Sequence, residues 1–79
     1  MNPDKILEPS LTAEQFRIAQ RELGLSDRDL ADNLGLSPRN GKVTVRRIKK
    51  DEIPCSGPIS TAMVAFLEGF RPPWYRNGE

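Results

Sequence analysis

Seventy-nine residues with a net charge of +1 bound the chain to one small domain, whose single modest core commonly gains from dimerising. The apolar share and low net charge exclude a disordered polyelectrolyte. One cysteine, Cys55, and no histidine exclude an internal disulfide framework and zinc sites of the Cys/His kind, and no apolar run approaches membrane-spanning length.

The opening "MNPDKILEPS" reads as an irregular arm over residues 1–10, with Ile6 and Leu7 placed to fold back on the core. Its apolar run is too short for a signal peptide, and a soluble chain in a reducing cytoplasm is expected. "LTAEQFRIAQRELGL" predicts a first helix. Thr12 suits the N-cap and Gln15 completes a capping box, with Leu11 and Phe16 as the flanking apolar pair. Phe16, Ala19 and Leu23 share a face, and Gly24 fits a left-handed C-cap. Arg17 and Arg21 fall on the solvated side, with Glu14 and Glu22 as neighbouring acids.

The pattern restarts in "LSDRDLADNLGL". Ser26 suits the N-cap, Leu30, Ala31 and Leu34 form the inner stripe, and Gly35 ends the second helix. "LSPRNGK" reads as a loop with Pro38, Asn40 and Gly41 as turn residues. A third helix is expected from about Lys42 to Asp51, stopped by Ile53-Pro54. Val45 and Ile48 face inward; Val43, Arg46, Arg47 and Lys50 fall on the other side. Pro58 fits the first position of a fourth helix over 59–68, whose stripe is Ile59, Ala62, Met63, Phe66 and Leu67. "FRPPWYRNGE" is a proline-broken tail. The fold class expected is all-α, a small domain of four to five helices spanning 11–69, with the tail over 70–79.

Charge is unevenly spread. From Asn33 to Lys50 there is no Asp or Glu, yet six of the twelve basic residues lie there. A cationic helix face behind an apolar stripe is often only a solvated face. Placed after two tightly joined helices, it points instead to an anionic partner.

"FRIAQRELGLSDRDLADNLGLS…TVRRIKKDEIP" resembles the Cro/CI-type helix-turn-helix family of phage and bacterial repressors, a lambda-repressor-like fold, over about Leu11 to Leu67. Small phage repressors, among them regulators associated with anti-CRISPR operons, are similar in size. The resemblance implies that the second helix crosses the DNA backbone and the third enters the major groove. Base-reading positions are then Lys42, Val43, Arg46 and Arg47; an arginine can fork onto guanine O6 and N7, and Val43 can meet a thymine methyl. Phosphate contacts are expected from Ser26, Arg28, Arg39, Lys49 and Lys50, with Thr44 either on a phosphate or capping its helix. The family usually has Gln where Asp27 stands, and often an Arg–Glu pair where this chain has Gln20 and Lys49. The expectation is that no such pair forms and that Lys49 is free for phosphate.

The resemblance implies a homodimeric, sequence-specific repressor on an inverted-repeat duplex, in the cytoplasm with the nucleoid of a bacterial or phage-infected cell. It implies no cofactor, no metal, no catalysis and no membrane partner. Dimer candidates are Met63, Phe66, Phe70, Trp74 and Tyr75; aromatics after a proline turn, as at Trp74 and Tyr75, more often cover a small core than dimerise, and more often dimerise than stack on bases. Cys55 has no histidine to activate it. Asp27, Asp29 and Asp32 raise a metal site only weakly, since Asp29 has a capping role. The rival class is a protein-interaction module, antitoxin-like or adaptor, on the same scaffold. The DNA reading requires Val45 and Ile48 inside, and Arg46 and Arg47 clear of carboxylates and of the tail.

Overall fold

A computed structural model describes residues 10–77; the proposed fold-back of Ile6 and Leu7 lies outside them. Among the described residues there are four α-helices and no strand: α1 (Ala13–Leu23), α2 (Asp27–Asn33), α3 (Gly41–Lys49) and α4 (Gly57–Leu67).

The helix starts follow the side-chain chemistry. The Thr12 hydroxyl accepts from Gln15 N–H at 3.0 Å, and the Gln15 side chain accepts from Thr12 N–H at 2.9 Å, closing the expected capping box. Ser26 accepts from Asp29 N–H at 3.1 Å. Gly24 ends α1 at φ 69°, where a side chain would be strained. Three residues then separate α1 from α2, and Leu25 among them is buried.

Three boundaries differ from the sequence reading. First, α3 starts one residue early. Residues 38–40 form the expected turn, with Gly41 N–H donating to Ser37 O at 2.7 Å and Arg39 N–H to Ser37 Oγ at 3.2 Å. Gly41 is therefore helical rather than a turn residue. It is needed for contact: a Cβ there would lie 2.9 Å from the Cβ atoms of both Ala31 and Leu36. α2 and α3 approach this closely because Gly41 and Ala31 are small.

Second, α3 stops at Lys49, short of Asp51. Asp51 takes φ 61°, and Glu52 N–H bonds Arg47 O at 2.9 Å. That left-handed exit ends the helix before Ile53-Pro54 is reached. Third, Ser56 caps α4, its hydroxyl accepting from Ile59 N–H at 3.4 Å, so Pro58 is the second helical residue and not the first.

The core is one cluster built around Phe16, Leu30, Val45, Ile48 and Met63, all essentially inaccessible to solvent. α1 packs against α3 and α4, and α2 against α3. Cys55 is buried in the same cluster. Ser60, also buried, holds the α4 start to the α1 start: its hydroxyl accepts from Leu11 N–H at 3.0 Å and lies within donating reach of Cys55 O and Sγ. Every buried side-chain N or O among the described residues has a partner. None of their helices is long and apolar enough to cross a membrane.

A candidate nucleic-acid interface on α3

Burial fixes which way α3 faces. Gly41, Val45 and Ile48, at spacings of four and three, point into the core. The opposite face is exposed at Lys42, Val43, Arg46, Arg47 and Lys50, and Arg39 in the preceding turn is exposed too. Val43 is half exposed, an apolar residue among cations. Arg28 on α2 lines the same shallow groove as Arg39 and Lys42. Six cations on one convex helix and its neighbour make a field suited to a polyanion.

Carboxylates border this face more closely than the sequence implied. Arg46 Nε lies 3.4 Å from Asp27 Oδ2, and Arg47 Nε lies 3.5 Å from Glu52 Oε1. The expectation that both arginines stand clear of carboxylates is therefore not met. Both arginine side chains remain 53% exposed, so the pairs are solvated and individually weak. The other half of the expectation holds: no hydrogen bond or ion pair ties either guanidinium to residues 70–77.

Lys49 is also not free. Its Nζ donates to Asp27 Oδ1 at 2.7 Å, and the side chain is mostly covered. The same oxygen accepts from Gln20 Nε2 at 2.9 Å, while that amide also donates to Leu25 O at 3.0 Å. The interhelix pair expected to be missing is thus replaced by another: Asp27, at the start of α2, ties α1 to α3 through Gln20 and Lys49. Burial alone raises the Asp27 pKa, but the hydrogen bonds from Gln20 and Lys49, the Lys49 charge and the Arg46 contact outweigh it, and the carboxyl is held below its ordinary 3.8.

The Ser26 hydroxyl caps α2 as expected and keeps its own O–H as a donor, Thr44 is half buried and caps nothing, and Arg17 forms no ion pair with Glu14 or Glu22. Arg17 Nη1 instead donates to Lys49 O at 2.6 Å, satisfying a terminal carbonyl of α3 with a cation.

The dimer candidates separate into two groups. Met63 and Phe66 are buried in this chain's own core and cannot meet a second copy. Tyr75 is half buried, edge-on to Phe66 at 5.2 Å with the Arg71 guanidinium 4.4 Å over its ring, so it covers the core. Phe70 and Trp74 remain more than half exposed.

The tail supplies what the sequence reading missed. Asn33, buried at the end of α2, donates from Nδ2 to Arg76 O at 3.0 Å and accepts from Arg76 N–H at 2.6 Å. Trp74 Nε1 donates to Asn33 O at 3.1 Å, and Arg76 Nε lies 3.2 Å from Asp32. These bonds strap the tail to α2 and bring Arg76 into a groove shared with Arg28, which itself borders Lys42 and Val43 of α3. Nothing in the composition of "WYRNG" announces this; a buried asparagine has no sequence period. Asp27 and Asp32 turn to different cations, so the acids of α2 form no shared cluster.

Comparison with known proteins leaves the family open: no family model, no curated protein and no solved structure matches the chain.

Proposed function

We propose that this chain is a sequence-specific double-stranded DNA-binding regulator of the Cro/CI-type helix-turn-helix class. On this reading α2 and α3 form the helix-turn-helix pair and α3 enters the major groove. The observation that supports it best is the division of α3 into a fully buried stripe, Val45 and Ile48 behind Gly41, and an exposed face of Lys42, Arg46, Arg47 and the C-capping Lys50, with Arg39 exposed in the turn before it. The base readers are Lys42, Val43, Arg46 and Arg47. Phosphate contacts fall to Arg28, Arg39, Lys50 and Arg76, with Lys49 reduced to a structural role. The protein acts as a homodimeric repressor in the cytoplasm by occluding an inverted repeat, and the dimer contact is confined to Phe70, Trp74 and the outer edge of α4.

The decisive experiment is selection of bound duplexes from a random pool. An inverted repeat with half-sites about one helical turn apart is expected, with affinity falling steeply as salt rises. Arg46→Ala is expected to cost about 1–3 kcal/mol on the selected duplex and to relax preference at one base pair. Lys50→Ala is expected to weaken every duplex alike and to flatten the salt slope. A selection returning no common sequence rejects specific recognition.

A second reading has its own support. Acids sit beside Arg46 and Arg47, and Phe70 and Trp74 are exposed, as a docking module for a protein partner would have them. That class binds an acidic protein with the α3 face and shows no salt-sensitive duplex binding.

A further inference from the structure

The two carboxylates beside the reading arginines touch them at one point each. Asp27 Oδ2 meets Arg46 at Nε, and Glu52 Oε1 meets Arg47 at Nε. No described residue hydrogen-bonds the Nη atoms of Arg46, whose side chain is 53% exposed, and two unengaged Nη groups can span guanine O6 and N7. The acids therefore hold the backs of the guanidinium groups.

They do not hold them equally. Asp27 is itself fixed. It opens α2, its side chain is 19% exposed, and its Oδ1 takes both Gln20 at 2.9 Å and Lys49 at 2.7 Å, which leaves Oδ2 for Arg46. Glu52 lies beyond the end of α3, is 52% exposed, and its side chain makes no hydrogen bond to another described residue. One arginine leans on a braced acceptor and its neighbour on a loose one.

We propose that Asp27 is a positioning residue for base readout: it presents the Nη fork of Arg46 to a guanine edge, although its own charge repels phosphate. The proposal rests on the DNA-binding reading above. An arginine held in its binding rotamer loses less freedom on docking, so the braced contact is worth more to the correct base than to a wrong one. The same carboxylate disfavours every duplex to the same extent, because the phosphate charge does not depend on sequence. Asp27 thus trades general affinity for discrimination, and the two effects have opposite signs on removal.

The test measures binding, across a salt series, to three duplexes: the selected site, that site with the Arg46-dependent guanine pair replaced, and a random sequence. Asp27→Asn is expected to bind the random duplex more tightly while its preference for the guanine-containing site falls about two- to tenfold. Asp27→Glu keeps the charge and moves the oxygens by one methylene; it is expected to leave random binding unchanged and still lose preference. In an Arg46→Ala background neither change is expected to alter preference further, which a merely structural loss would not reproduce. Asp27→Glu also serves if Asp27→Asn fails to fold. Glu52→Gln is the contrast: a uniform gain on all three duplexes and no loss of preference. An Asp27→Asn effect equal on all three duplexes overturns the positioning role and leaves DNA binding intact. Absence of salt-dependent binding to any duplex by the wild-type protein overturns both.

Discussion

α3 and the α4–tail region meet solvent in opposite ways. α3 buries one residue per turn and exposes cations; α4 buries Ser60, Met63 and Phe66 and exposes Val64 and Leu67, continued by Phe70 and Trp74 in the tail. The difference teaches how a small fold frees a charged helix for outside work. α3 contributes only Val45 and Ile48 as large core side chains, so its hold on the domain depends on close backbone approach at Gly41 and on polar ties at its ends, from Arg17 and Asp27. α4 likewise buries two large side chains, Met63 and Phe66, and is tied at its start by the Ser60 hydroxyl, but the face it leaves exposed is apolar, at Val64 and Leu67.

The comparison breaks most severely at Gly41. In Gly41→Val the new Cβ meets two other Cβ atoms, which cannot swing away as a long side chain can. The gain in helix propensity is smaller than the overlap, and a net loss of about 1–3 kcal/mol is expected in thermal or denaturant unfolding. An unchanged midpoint contradicts the close packing of α2 on α3. On the other side, Asn33→Ala removes both side-chain bonds to Arg76 and is expected to cost about 1–2 kcal/mol. Trp74 donates to the main-chain carbonyl of residue 33, which the substitution keeps, so a red shift of its fluorescence is expected only as far as the released tail carries the indole away from that carbonyl. If the chain binds duplex DNA as proposed, that binding is expected to weaken modestly in this variant, because Arg76 is no longer held beside Arg28. A smaller effect on the fold is expected at the apolar rim. Phe70→Ser changes an exposed residue and should alter monomer stability by no more than about 0.5 kcal/mol. If Phe70 and Trp74 form the contact between two copies, sedimentation should show the dimer of the wild-type protein dissociating in this variant at matched concentration.

Much of this architecture was legible in the chain because it is local. The caps at Thr12 and Ser26, the turn at Gly24, and the inward sets Phe16–Ala19 and Val45–Ile48 depend on spacings of three and four residues, and all stand as read. The end of α3 was misplaced because a left-handed aspartate is uncommon, and Asp51 resembles an ordinary helical residue until its φ is seen. Gly41 was read as a turn former because a sequence cannot distinguish a glycine that bends the chain from one that makes room for a neighbour. The candidate site was legible in its cations and illegible in its anions. Arg46 and Arg47 announce themselves by clustering, whereas their carboxylate partners lie nineteen residues back and five residues on. Lys49 was assigned to phosphate for the same reason: its partner, Asp27, belongs to another helix. Met63 and Phe66 were offered to a second copy although they fill this chain's own core, since an apolar stripe does not say which side of it the domain occupies.

The smallest expected effect isolates the Asp27 tie from the rest of the fold. Its carboxyl is depressed in the folded chain, so proton release is easier there than in the unfolded chain. Stability from this group is fully present above the unfolded value, near 3.8, and is lost as pH falls below that through the lower folded value. Other acids titrate over the same range, so the absolute stability of the wild-type protein is not a clean readout. The difference between wild type and Asp27→Asn is. Between about pH 5 and pH 7 that difference should be flat, because Asp27 is ionised in both folded and unfolded chains. Below about pH 3.8 it should narrow, because a protonated aspartic acid and an asparagine leave Gln20, Lys49 and Arg46 facing similar neutral groups. The tie is partly exposed to solvent, so added salt should also shrink the difference at neutral pH. A difference that stays constant down to pH 2 contradicts an ionic tie at Asp27 and leaves only its hydrogen bond from Gln20 to join the start of α2 to α1.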